Sequence, residues 1–269
     1  DFIAVIGTPV PAVIGTDYRA LSRMIEKGTG IPALTIDTDG TKLYDDGEKK
    51  TWKELFKKFA VEKDVESGRI GIIGATPLEF GGIYEEDFLK KYFAGKGFSK
   101  VVCYGMGDGL DAVKEAAAAE KNIVVSPAGI AAAKYLQQKF GTPYELFCPP
   151  EIIPEWKEKK EQVAGLLNVE ELSEKKILIV HQQVLANTLR EEFISANINV
   201  ASWFMMNKEQ KKEQDILFKE EDDWITYIKE NEYDIIIADS LLKKAVPFYK
   251  GEWYDLPHFA ISGKKRQSV

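Results

Sequence analysis

The chain has 269 residues, of which 45% are hydrophobic and 29% are charged, a balance typical of globular proteins and not of disordered or fibrous ones. Its two cysteines, Cys103 and Cys148, cannot form a disulfide framework, and so few cysteines indicate a reducing compartment. The net charge of −7 argues against nucleic acid as a partner, because binding to phosphates needs a basic face.

The apolar runs of the sequence give two further expectations. No apolar run approaches the roughly 18 residues that a membrane-spanning helix needs, so we expect no membrane partner and a cytoplasmic location. The chain starts at Asp1 and passes at once into the apolar run Phe2–Ile6. Starting inside an element indicates a fragment of a longer protein.

Short β-branched runs alternate with longer segments of helical spacing along the whole chain. The predicted strands are Phe2–Ile6, Ala33–Ile36, Ile70–Ile73, Lys100–Cys103, Asn122–Val125, Lys176–Val180, Asn197–Ala201, Tyr233–Ala238 and His258–Ile261. The predicted helices are Asp17–Lys27, Thr51–Ala60, Glu85–Gly95, Leu110–Glu120, Ala128–Phe140, Leu185–Ser195 and Asp222–Glu230. Continuously apolar strands predict an α/β fold of parallel sheets flanked by helices, because such strands are buried on both faces.

The proline-rich segment 148–154 stops any regular element and therefore predicts a boundary. We expect residues 1–64 to be the end of a truncated first α/β subdomain and residues 65–150 to be a second, Rossmann-like subdomain. A charged linker helix over 151–174 should lead into a third, Rossmann-like subdomain at 175–269.

Ligands of open parallel sheets bind at the carboxyl ends of the strands, so the loops there are the candidate sites. The glycine-rich loop 105–109 does not match the dinucleotide pattern G-x-G-x-x-G, and Asp108 would repel a phosphate. A tight turn that uses positive φ angles is the better interpretation.

Both histidines, His181 and His258, lie near predicted strand ends and could face one cleft in a metal or acid–base role. The alternative, which we favour, is that each is a hydrogen-bonded loop residue. Cys103 should be inert core, whereas Cys148 should be more accessible. The aspartates of 37–40 and 45–47 fit turns and helix caps better than a cation site.

Several segments, taken together and in order, resemble the nitrogenase component 1 family. That family includes the dinitrogenase α and β subunits, their cofactor-assembly scaffolds and the protochlorophyllide and chlorophyllide reductases. The segments are Thr8–Asp17, Thr29–Ala33, Thr38–Gly40, Tyr44–Gly47, Gly107–Gly109, Asn122–Ser126, Ala133–Tyr144, Lys175–Val180, Tyr233–Ser240 and Leu256–Pro257.

The resemblance implies three Rossmann-like subdomains around a cavity for a metallocluster or a tetrapyrrole. It also implies a second component 1-like subunit, with an iron–sulfur cluster at the interface, and electrons from an ATP-dependent iron–sulfur reductase.

The departures from the family pattern concern the cluster ligands. Pro9 stands where the family has the interfacial-cluster cysteine, and Ser126 stands near the place of the metallocluster cysteine. Ser262 falls at about the place of the cofactor histidine, and His258 comes too early. Proline cannot bind iron, and serine is a poor substitute for a thiolate. We therefore expect a non-standard member with no cofactor in this fragment; an iron–sulfur cluster would belong to the full-length protein.

The resulting hypothesis is an oxidoreductase that reduces a small molecule, with the fragment itself inactive. His181 is the predicted proton donor, because it directly follows a strand and could titrate near neutrality. The predicted cavity lining consists of Pro9, Gly107, Asp108, Gly109, Ser126, Gln182, His258 and Ser262. Two alternatives are a non-catalytic scaffold that carries a metallocluster precursor or tetrapyrrole-like ligand, and a binding module that holds a metal chelate between two lobes.

Overall fold

The computed structural model describes residues 1–82, 85–156, 175–193 and 197–263. Their contacts divide the chain into two compact units. The first unit contains residues 1–74, 90–124 and 128–145, and the second contains residues 75–89, 125–127 and the chain from Leu146 onward.

The strands of the first unit are β1 (Ile3–Ile6), β2 (Ala33–Ile36), β3 (Glu66–Ile73), β4 (Lys100–Cys103), β5 (Ala119–Val124) and β6 (Tyr144–Leu146). Its helices are α1 (Pro9–Val13), α2 (Tyr18–Thr29), α3 (Tyr44–Phe59), α6 (Leu110–Lys114) and α7 (Ile130–Phe140). Helix α5 (Glu85–Gly95) begins in the second unit and ends in the first, and α4 (Pro77–Phe80) belongs to the second.

The remaining strands of the second unit are β7 (Lys176–Val180), β8 (Asn197–Ser202), β9 (Ile216–Leu217), β10 (Ile235–Ala238) and β11 (Glu252–Asp255). The helices are α8 (Gln183–Glu192), α9 (Glu221–Glu230), α10 (Ser240–Ala245) and α11 (Phe259–Ser262). Short 3₁₀ turns occur at Ala116–Ala118, Pro127–Gly129 and Pro150–Ile152. In the described part of the chain, no helix is long and apolar enough to cross a membrane.

A two-stranded parallel sheet opens the first unit, with Ile3 opposite Ala33 and Ile6 opposite Ile36. Helix α2 covers the edge of β2 that β1 leaves open. The Ser22 hydroxyl donates to the Ala33 carbonyl at 3.0 Å, and Glu26 Oε1 accepts the Ala33 N–H at 2.8 Å. Side chains of α2 thus form hydrogen bonds with backbone groups that could otherwise pair with another strand.

The second sheet of this unit has the strand order β4-β3-β5-β6. Strand β3 pairs in parallel with both β4 and β5, and its last five residues are buried. Helix α3 contributes Trp52 and Phe56 to the core, and the Phe56 ring meets the Tyr104 ring edge-on at 5.0 Å between centroids. Continuous burial of β3 follows from cover on both faces.

The second unit has a five-stranded, all-parallel sheet with the order β11-β10-β7-β8-β9. Central strand β7 is buried from Ile177 to Val180, and Trp224 of α9 packs in the same core. The chain runs outward from β7 to β8 and β9, then returns to β10 on the other side of β7. In α/β sheets the carboxyl ends of the strands at such a reversal are the usual place for a ligand.

The predicted α/β class is confirmed, and three predicted strands have the observed bounds: Ala33–Ile36, Lys100–Cys103 and Lys176–Val180. The helix predicted over Leu110–Glu120 is wrong beyond Lys114, because Ala119 starts β5. Alanines favour helix locally, but pairing with β3 overrides that preference.

The strand predicted over His258–Ile261 is also wrong. The structure has helix α11 in this segment, and the last strand, β11, lies before it. Three short strands, β6, β9 and β11, were not predicted. Most of the linker helix predicted over 151–174 lies outside the described residues, and the predicted subdomain boundaries stay predictions.

Replacement of Gly7 by alanine should destabilise the first unit. A Cβ at Gly7 would lie 2.3 Å from the Thr38 carbonyl oxygen and 2.7 Å from the Thr38 nitrogen, so backbone must move. We expect Gly7→Ala to lower the free energy of unfolding by about 1–3 kcal/mol, as measured by urea denaturation.

Gly28→Ala is the matched control, since Gly28 lies within α2 with open space where a Cβ would stand. It should raise the free energy of unfolding by about 1 kcal/mol. Equal stability of the two variants would contradict this account of Gly7.

Candidate functional site

Four side chains meet at the carboxyl ends of the second unit's strands. His181 follows β7, Phe204 follows β8, Asp239 follows β10, and His258 comes shortly after β11. All four are buried, with His258 and Asp239 fully so. The topology explains the meeting, because carboxyl ends of parallel strands lie at one edge of a sheet.

The His258 ring is held by its hydrogen bonds. Its Nδ1 accepts the Ala260 N–H at 3.2 Å, which caps α11, so a neutral ring carries its proton on Nε2. That atom lies 3.6 Å from Glu79 Oε2. The backbone N–H of His258 donates to Asp239 Oδ2 at 3.0 Å. The Phe204 ring stacks on the His258 imidazole, with 4.5 Å between the ring centroids.

The His181 ring lies against the His258 ring, with centroids 4.6 Å apart. Its Nε2 is 3.3 Å from the Pro257 carbonyl oxygen, and a carbonyl oxygen can only accept, so Nε2 carries the proton. Both histidines therefore make loop hydrogen bonds, as in the favoured alternative, and their rings are also in contact. We call His181, His258 and Glu79 the imidazole cluster.

Two further predicted residues lie beside this cluster. Gln182 accepts the Val184 N–H at 2.8 Å through Oε1, which caps α8, and its Nε2 donates to the Val125 carbonyl at 2.8 Å. This bond holds the segment with buried Ser126 against the start of α8. The Ser262 hydroxyl donates to the His258 carbonyl at 3.4 Å.

The other predicted lining residues belong to the first unit. Pro9 is the first residue of α1, and Gly107 has a φ of +79°, which agrees with the predicted tight turn. Asp108 Oδ2 accepts the Cys103 N–H at 2.8 Å and lies 2.8 Å from Lys90 Nζ. Asp108 thus closes its own loop, and Gly109 leads into α6 as its N-cap.

The aspartates near β2 serve turns and helix ends. Asp39 accepts hydrogen bonds from the backbone N–H of Thr41 at 2.8 Å and from the Thr41 hydroxyl. These two bonds hold the pKa of Asp39 below its usual value. Asp46 lies in the first turn of α3, where hydrogen bonds to Lys49 and Lys50 lower its pKa. This agrees with the interpretation as turns and caps.

The loop between β8 and β9, residues 203–215, carries Phe204 onto His258 and is tied to α8. Gln183 Oε1 accepts the Asn207 N–H at 2.6 Å, and Gln183 Nε2 donates to the Asn207 carbonyl at 3.1 Å. Asn187, one turn later, donates to the Gln210 carbonyl at 3.3 Å.

A buried ion pair fixes the far end of the same loop. Arg190 Nη1 lies 2.6 Å from Asp215 Oδ1, with both side chains almost inaccessible. Asp215 also accepts the Val200 N–H at 3.1 Å and the Lys212 N–H at 2.8 Å. Sequence reasoning missed this set; the spacing of residues 183, 187 and 190 along one helix face was the available signal. It also missed Glu79.

Residues 1–201 match the family model described as nitrogenase component 1 type oxidoreductase, which is well over half of the chain. The chain belongs to this family. Two solved structures of nitrogenase Cp1 are similar to this chain in fold. The one at pH 6.5 has a TM-score of 0.65 at 14% identity and covers 97% of this chain and 71% of that chain.

The structure of nitrogenase Cp1 at pH 5 has a TM-score of 0.63 at 14% identity, covering 97% of this chain and 66% of that chain. At such identity the likeness concerns the fold alone. No curated protein matches the chain by sequence.

Among the described residues, no group of three or more His, Cys, Asp or Glu side chains could hold a metal ion. Cys148 is buried, so its predicted accessibility is wrong: the Pro-rich segment folds into the core, where the Cys148 N–H donates to Thr188 Oγ1 at 3.2 Å. Cys103 is buried as predicted.

Loss of the Arg190 charge should strongly destabilise the second unit. Arg190→Met keeps an aliphatic stem but leaves Asp215 as a buried charge without its cation. We expect the free energy of unfolding to fall by about 3–5 kcal/mol, measured by urea denaturation.

Lys114→Met is the control, because Lys114 pairs with exposed Asp111 on the surface. Exposed pairs contribute little, so this variant should unfold like the parent protein. An Arg190→Met variant as stable as the control would show that the buried pair does not fix the loop.

Proposed function

We propose that this protein is a component 1-type oxidoreductase that reduces a small unsaturated or metallated molecule at the carboxyl ends of β7 and β10. Electrons would come from an ATP-dependent iron–sulfur reductase. The observation that carries the proposal is the imidazole cluster: two histidine rings in contact, with a carboxylate beside them, at the strand ends where α/β sheets bind ligands.

Reduction of a multiple bond consumes protons together with electrons, so the site needs an acid that titrates near neutrality. Imidazole is the side chain with that property. Glu79 can compensate the positive charge of a protonated His258. In this proposal His181 delivers the proton, and the electron from the reductase balances each proton transferred.

His181→Gln separates a chemical role from a structural one. A glutamine amide can still donate to the Pro257 carbonyl but cannot deliver a proton at neutral pH. We expect turnover of the anaerobically purified protein with its reductase to fall about 100-fold or more, while the melting temperature stays close to that of the parent.

His181→Ala is the companion variant, and it should lose both turnover and part of the thermal stability. If His181→Gln turns over substrate at the parental rate, His181 is not the proton donor. If the purified protein neither associates with an iron–sulfur reductase nor accepts electrons from it, the oxidoreductase proposal fails as a whole.

A second candidate is a scaffold that carries a metallocluster precursor or tetrapyrrole-like ligand without turnover. It is favoured by Pro9 and Ser126, which stand where the family resemblance expects thiolates, so that a ligand would be held by shape. Mass spectrometry of the ligand before and after addition of reductase and ATP distinguishes the two: reduction adds hydrogen to the molecule, whereas a scaffold returns it unchanged.

We also propose that α1 contacts a second component 1-like subunit. Three apolar residues at this helix, Val10, Val13 and Ile14, are 71%, 87% and 74% exposed. Contiguous apolar surface of this kind marks protein–protein contacts.

Val13→Asp places a charge on this surface, so it should lower the sedimentation coefficient of the assembly towards that of a single chain, with an unchanged circular dichroism spectrum. Val61→Asp is the control, because Val61 is a half-exposed valine that follows α3, outside this helix. If Val13→Asp and the parent sediment alike, α1 is not part of the interface.

A further inference from the structure

Four of the first unit's buried polar atoms that have no hydrogen-bond partner among the described residues lie on three neighbouring residues. They are Arg69 Nε, Tyr104 Oη, Asn122 Nδ2 and Asn122 Oδ1. Tyr104 and Asn122 are fully buried, and Arg69 is 2% exposed. Buried polar atoms in proteins almost always have a partner, either protein or ordered water. Their occurrence on three neighbouring residues therefore calls for one explanation.

The side chains of Asn122 and Tyr104 converge on Gly71 of β3. Asn122 lies directly opposite Gly71 in the parallel pairing, and Arg69 lies two residues earlier on the same face of β3. A Cβ at Gly71 would stand 2.4 Å from Asn122 Oδ1 and 2.6 Å from Tyr104 Oη. Both polar tips are thus close to one point above the glycine. A larger residue at position 71 would push them away.

Aromatic side chains close this place from solvent. The edge of Phe56 contacts the Tyr104 ring at 5.0 Å, and Trp52 stacks on Phe56 at 6.3 Å. Burial also raises the pKa of Tyr104 well above its usual value, so the phenol keeps its proton and remains a hydrogen-bond donor.

The chemistry of the group decides what it can hold. The Arg69 Nε–H, the phenol and the amide nitrogen donate, and the amide oxygen accepts. Arg69 Nη1 already lies 3.0 Å from Glu66 and 3.2 Å from Glu115, so the guanidinium charge is compensated and an added anion would have no cation of its own. A small neutral molecule that both donates and accepts fits this set.

We propose that Arg69, Tyr104 and Asn122 form an internal hydration site above Gly71 that holds structural water. Water in such sites typically makes about three hydrogen bonds, and this group offers enough donors and acceptors for that number.

A crystal structure at a resolution that shows ordered solvent tests the site directly. Electron density within hydrogen-bond distance of Tyr104 Oη and the Asn122 amide is expected. Crystals grown in bromide distinguish water from a halide, because only the halide gives anomalous scattering. Absence of density, or an anomalous peak at this place, would overturn the proposal.

Thermal denaturation of Tyr104→Phe gives a second, independent test. If the hydroxyl binds structural water, its removal breaks a hydrogen bond and should lower the melting temperature by about 2–4 °C. If the hydroxyl has no partner at all, its removal relieves the cost of burying it, and the melting temperature stays the same or rises, which refutes the site. Tyr135→Phe, which alters a half-buried tyrosine packed on Phe140, is the control and should melt like the parent.

Discussion

Parallel pairing between β7 and β10 is the interaction on which the second unit depends. The ladder from Ile177 and Ile235 to Val180 and Ala238 joins the two halves of a sheet whose chain order reverses there. Asp234 fixes the start of the ladder, because its Oδ2 accepts the Lys176 N–H at 2.7 Å. Asp239, at the other end of β10, holds the His258 backbone and caps α10 through the Leu241 N–H.

The same pairing explains why the imidazole cluster is buried. His181 and His258 are 77 positions apart in sequence, and only the strand order brings their loops to one sheet edge. Phe204 then covers His258, and its loop is held by α8 through Gln183 and the buried Arg190–Asp215 pair. Packing, hydrogen bonding and charge thus act together to fix two rings whose protons have defined positions.

Sequence patterns predicted most of this fold because buried parallel strands are continuously apolar. Lys176–Val180 is such a run, and its bounds agree with the structure. The pattern failed where local preference and tertiary pairing disagree, as at Ala119 in β5, and where a polar strand such as β11 lacks the apolar signal. The sequence placed His181 directly after a strand, but it placed His258 at the start of a strand that the structure does not have, because β11 was missed. Glu79 and Phe204 could not be predicted, because their contacts arise between elements and leave no short-range spacing in the sequence.

The cover on β2 also restricts how the first sheet can grow. Ser22 and Glu26 already occupy the Ala33 carbonyl and N–H on the outer side of that strand. Another strand on that side would have to break both hydrogen bonds and displace α2 before it could pair with β2. Any strand that extends the sheet, whether from this chain or from another, must therefore join beside β1.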